Sequence, residues 1–188
     1  VILMLISAMM TSVTIAREKE MGTMEILLAS PLNPIQIILG KVTPYLLLSI
    51  INAGMILLMG NLIFDVPIRG SVVLMMFEVI LYILVALSLG VLISTVAKDQ
   101  MMAMMISAFG LMLPTMMLSG FIFPIENMPL ALQYVSALLP PRWFIEVIRA
   151  VMLKDVGLII IWKQTLILIL MALFLLGVSV KKFKTRLE

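Results

Sequence analysis

Cysteine and histidine are both absent from the 188 residues, and each absence removes chemistry. Disulfides, zinc sites built on thiolate or imidazole, and every catalytic constellation that needs His or Cys are excluded. Charge is scarce too: Asp, Glu, Lys and Arg supply 12% of the chain, against about 25% in an ordinary globular domain. The net charge of +3 is scattered between apolar runs, so the basic patch that nucleic acid requires is missing and no nucleic-acid partner is expected. A nucleotide-cradling loop is lacking as well, because Gly40-Lys41 has neither the upstream Gly nor the following Ser or Thr.

What the chain has is apolar surface. Ala, Val, Ile, Leu, Met, Phe, Trp and Tyr make up 63% of it, more than a soluble domain of this length can bury. A lipid bilayer supplies the missing apolar surroundings, since a spanning helix satisfies its own backbone and tolerates grease on every face. Spanning a core of about 30 Å takes about 20 residues. Five stretches approach that length: 1–16, 42–64, 71–97, 101–125 and 156–180. The expected fold is all-α, a polytopic transmembrane helical bundle.

Lys and Arg are retained on the cytoplasmic side of such bundles. With five spans, one side carries Arg17, Lys19, Lys41, Lys98, Lys181, Lys182, Lys184 and Arg186, and the other Arg69, Arg142, Arg149, Lys154 and Lys163. The first side is therefore expected inside, with the C-terminus. An odd number of spans, a short first helix and the lack of an initiator Met lead to the expectation that these residues belong to a longer protein with an earlier span.

The most polar stretch is REKEMGTMEILLASPLNPIQIILGK, residues 17–41. Stepping 100° per residue sets Met21, Met24, Leu27 and Leu28 on one side, with Glu18, Gly22, Glu25 and Ala29 on another. An amphipathic helix along the membrane surface over about 17–30 follows, ended by Pro31. It is either a solvated anchor or a docking element with Glu18, Glu20 and Glu25 as acidic contacts.

Residues 118–155 form a second distinctive stretch. Gly120, Pro124, Pro129 and the pair Pro140-Pro141 divide it into pieces too short to cross a bilayer, yet it stays apolar. Interrupted apolar pieces suit external re-entrant helices, or an interfacial loop anchored by Trp143. Arg142–Glu146 and Glu146–Arg149 are spaced to pair along one helix face.

Together these two stretches resemble the type-2 ATP-binding-cassette (ABC) export permeases. The first carries the family's pattern at Arg17, Glu18, Lys19, Glu20, Gly22, Thr23, Glu25, Leu27, Leu28, Ser30, Pro31, Gly40 and Lys41; the second carries it at Gly120, Phe121, Pro124, Glu126, Met128, Pro129 and Pro140. The resemblance implies the C-terminal membrane half of a permease, with residues 17–30 as the cytoplasmic coupling helix that meets an ABC ATPase subunit. It further implies ATP on that partner rather than a cofactor in this chain, and a second permease copy, identical or not. It also implies re-entrant helices capping the path, efflux of hydrophobic drugs, lipids or lipid-linked glycans, and the bacterial cytoplasmic membrane. The chain itself is then a transport subunit and not an enzyme.

Glu78 sits inside the third apolar stretch, where a carboxylate needs water, a partner or the interface. With Asn52, Met105 and Met112 it is a candidate for lining a path, although snorkelling to the interface for Glu78, hydrogen bonding between helices for Asn52, and lipid contact or packing for the methionines are the favoured readings. Two other classes remain. An ATP-independent channel or ion-coupled carrier would show charged pairs or broken helices at midplane, and a membrane enzyme would show a nucleophile, base and metal-ligand set.

Overall fold

Hydroxyl residues recur along the first helix and decide where it sits. In the computed structural model, which describes residues 1–23, 34–67, 69–154 and 156–184, helix α1 (Ile2–Glu20) buries Ser7, Thr11 and Ser12 beside Met4, Ala8 and Ile15. Ser7 and Thr11 donate to carbonyls one turn back, Leu3 O at 2.7 Å and Ser7 O at 2.9 Å. Small side chains let neighbouring backbones approach closely, and their hydroxyls bridge between helices in apolar surroundings.

Helix α2 (Pro34–Phe64) opens on a proline, whose missing N–H costs nothing at that position, and carries Pro44 inside. Helix α3 (Val72–Val96) is capped by Ser71, whose side chain accepts from the Leu74 N–H. Asp99 likewise caps α4 (Gln100–Met105), its Oδ1 taking the Met102 N–H at 2.7 Å. The helix then passes through a π-helical turn, Ile106–Leu111, into α5 (Met112–Leu118). A 3₁₀ turn (Ile125–Asn127) precedes α6 (Leu130–Ala137), α7 (Pro140–Lys154) and α8 (Leu158–Lys184).

Helix α3 is the axis of the bundle, packed on α1, α2, α7 and α8. Its Tyr82, Ile83, Leu87 and Val91 form the main core with Met4, Ile15 and Leu168. The α1 backbone comes so near that a methyl on Gly90 would lie 2.5 Å from Ala8 O and 2.9 Å from Thr11 Cβ. Thr165 meets Glu78 and Ser179 meets Ser88, so α8 runs parallel to α3 and both finish at one end. A second core at the opposite end joins Met75 of α3 to Val147, Val151 and Met152 of α7 and Ile161 of α8.

Among the described residues, four helices are long and apolar enough to cross a membrane: Gln36–Phe64, Val72–Val96, Gln100–Leu118 and Leu158–Lys182. Helix α1, which contains the first expected span, is not among these four, because its last turn is Arg-Glu-Lys-Glu. Nor does it stop at Ala16, since residues 17–20 continue the helix and the chain breaks at Met21 and at Gly22, whose φ is +71°. The fourth span ends at Leu118 rather than near 125: Gly120 takes a left-handed φ of +79° and turns the chain.

Candidate functional site

The last turn of α1 holds three other helices at once. Glu18 forms an ion pair with Lys41 of α2. Lys19 donates to Ser94 O, a carbonyl in the final turn of α3 that has no partner further along its own helix. Glu20 Oε2 accepts from Gln100 at the start of α4, from the backbone N–H at 3.2 Å and from Nε2 at 3.0 Å. The signs match the helix dipoles, with a cation at the carbonyl end of α3 and an anion at the N–H end of α4. Ala16 of α1, Ala97 at the end of α3 and Ala103 of α4 pack together beside the charges.

Gly22 supplies the left-handed residue that ends α1, with its N–H bonded to Lys19 O at 3.1 Å. Thr23 Oγ1 donates to Glu18 O at 3.2 Å, while Arg17 is exposed. Glu25, Leu28, Ser30 and Pro31 lie outside the described residues. This elbow shares its end of the bundle with Lys41, Lys98, Lys181 and Lys182, because α3 and α8 finish there. Arg69 is at the other end, its N–H bonded to Met152 O at 3.1 Å. The grouping of Lys and Arg expected from five spans thus holds for these positions, although Arg186 lies outside the described residues.

At that far end, the stretch after α5 is broken as its prolines and glycine require. Phe121, Pro124, Glu126 and Pro129 are exposed and Pro140 is buried. Ile125 folds back under Gly120, its side chain 3.1 Å from where a methyl there would sit. Arg142 ties α6 to α7, donating to Gln133 O at 2.9 Å and Ser136 Oγ at 2.8 Å, and pairing with Glu146 at 3.7 Å. Trp143 Nε1 donates to Ala137 O at 2.9 Å. Glu146 finds its other partner in Gln164 at 3.3 Å, not in Arg149, which is exposed.

The four path-lining candidates come from four different helices, α3, α2, α4 and α5. Glu78 is fully buried between α3 and α8, its Oε1 2.5 Å from Thr165 Oγ1. Asn52 is half-buried, while Met105 and Met112 are exposed on either side of the π turn. That turn winds more loosely than an α-helix, so the two do not continue a single α-helical stripe.

Hydroxyl bridges between helices escape a reading of single segments. Ser7 meets Ser49 at 2.7 Å, Ser12 meets Ser107 at 2.8 Å and Tyr45 OH donates to Thr14 Oγ1 at 2.7 Å. The recurrence of Ser and Thr in α1 is their only local sign.

Residues 1–181 match the model of a family described as ABC-2 family transporter protein. The chain belongs to that family. Among ABC-2 relatives, the probable multidrug ABC transporter permease YbhS of Escherichia coli K12 is 34% identical over 188 residues, covering 100% of this chain and 50% of the relative. YbhR of the same strain, which carries the same description, is 38% identical over 154 residues, 82% of this chain and 42% of YbhR. ABC transporter G family member 20 of Dictyostelium discoideum is 29% identical over 172 residues, 90% of this chain and 23% of that protein. The chain spans about half the length of YbhS. No solved structure matches it. An ABC-2 chain with four helices of spanning length is a multi-pass membrane protein.

Proposed function

We propose that the chain works as the transmembrane permease part of an ATP-driven exporter in a bacterial cytoplasmic membrane, with ATP hydrolysed on a separate subunit. The observation that carries this is the elbow at residues 17–23, which gives one short segment a hold on α2, α3 and α4. Residues 24–30, which lie outside the described residues, are assigned with it to the segment that meets the ATPase. A push on that segment moves the ends of three helices together, because the ion pair and both helix-end contacts resist sliding.

Two such permeases, identical or different, and two ATPases enclose the path, and the elbow end with the C-terminus faces the cytoplasm. The relatives named for multidrug transport favour a hydrophobic or amphiphilic cargo. The broken segments at residues 119–139 cap the exit, and the exposed Phe121 and Pro124 face its rim or the lipid.

Co-purification with the ATPase tests this, repeated after Glu25→Lys and after replacement of residues 18–25. Both changes are expected to weaken binding or uncouple hydrolysis from transport. An ATPase that stays bound and fully coupled after both contradicts the docking role, and cargo movement in vesicles without ATP supports an ion-coupled carrier instead.

A further inference from the structure

Glu78 is the one acidic residue of α3 and is fully buried. Thr165 Oγ1 lies 2.5 Å from its Oε1 and also 3.1 Å from the Ile161 carbonyl. A threonine hydroxyl has one hydrogen. Against an ionised carboxylate both neighbours are acceptors, so one approach would set lone pair against lone pair. If the carboxyl carries a proton, both approaches are hydrogen bonds: Glu78 donates to Thr165, and Thr165 donates to the carbonyl one turn back.

The surroundings agree. Glu78 Oε2 and the Tyr82 hydroxyl, one turn along the same face, have no hydrogen-bond partner among the described residues. An ionised carboxylate left so would be buried without compensation. Among the described residues, no cation of the packed helices forms an ion pair with it. The charges of α1, together with Lys41 of α2, sit at the elbow end, near Ser94 rather than Glu78. On α7, Arg142 pairs with Glu146, while Arg149 and Lys154 are exposed; on α8, Lys163 is exposed beside Trp162.

We propose that Glu78 is a proton-binding site, held as the neutral acid between α3 and α8 and able to exchange its proton only when these helices part and water reaches Oε2. This holds whether or not the chain works with an ATPase. Infrared difference spectroscopy on the whole chain in lipid at neutral pH tests it, comparing the wild type with Glu78→Gln and Thr165→Val. The expected result is a protonated-carboxyl C=O band that is lost in Glu78→Gln and shifted in Thr165→Val, with the melting temperature of Glu78→Gln unchanged because the amide keeps a donor for Thr165. Loss of carboxylate-stretch intensity in Glu78→Gln, with the protonated region untouched, overturns it. Should Glu78→Gln fail to fold, Thr165→Val decides: a shifted protonated band supports the site, and an unshifted one overturns it.

Discussion

Glu20 takes both the backbone N–H and the side-chain amide of Gln100, eighty positions away, on a single carboxylate oxygen. The first N–H groups of a helix have no partner within it, so α1 supplies α4 with an acceptor that α4 cannot supply itself. Its neighbour Lys19 does the converse for the last carbonyls of α3. One turn therefore finishes two helices of opposite need, and this makes the 17–23 elbow a joint rather than a loop.

The ion pair beneath it is measurable. Glu18 and Lys41 keep 28% and 15% of their side-chain surface, so solvent screens them partly, and their coupling is expected at about 1 kcal/mol. Thermal melts of Glu18→Gln, Lys41→Met and the double variant close the cycle. Each single change should lower stability, and the double should cost less than their sum.

Gly90 tests the packing of α1 on α3. With a methyl 2.5 Å from Ala8 O, Gly90→Ala forces the helices apart and is expected to cost about 1–3 kcal/mol. Gly90→Leu should abolish folded material, as read by size-exclusion chromatography in detergent.

Hydroxyl bridges should contribute less. Ser12→Ala and Ser107→Ala each remove the same 2.8 Å contact, and either is expected to lower stability by about 0.6 kcal/mol. The combined variant should be little worse than Ser12→Ala alone, because the two serines share one interhelical bond and Ser12 adds only its bond to Met9 O within α1.

At the far end, Gly120→Ala places a side chain on a left-handed residue, at a cost of about 1–2 kcal/mol. Limited proteolysis should then cut residues 119–139 faster. Trp143→Phe, which loses the bond to Ala137 O, should speed the same cleavage.

Legibility in the sequence followed how local each signal is. Helix α3 is readable almost to the residue, since Ser71 caps one end and Lys98-Asp99 marks the other. The end of the fourth span is not, because the apolar run continues through Phe121–Phe123 and only the backbone at Gly120 stops it. Residues 17–20 read as the start of a separate surface helix, yet they extend α1. The partners of Glu18, Lys19 and Glu20 are Lys41, Ser94 and Gln100, which lie far away in sequence. Glu78 is visible as an anomaly, but its partner Thr165 lies 87 positions on. The family pattern reached both informative stretches, since their glycines and prolines are backbone requirements that the sequence spells out directly.

Transport per ATP hydrolysed, in the permease–ATPase complex reconstituted in lipid, tests the elbow most directly. Lys19→Met combined with Glu20→Leu removes the donor to Ser94 O and the acceptor for Gln100 and leaves residues 24–31 unchanged in sequence. The expected result is an ATPase that still binds and still hydrolyses ATP while cargo moved per ATP falls several-fold. An unchanged ratio, with the complex intact, would contradict the elbow as the joint through which the bundle is driven.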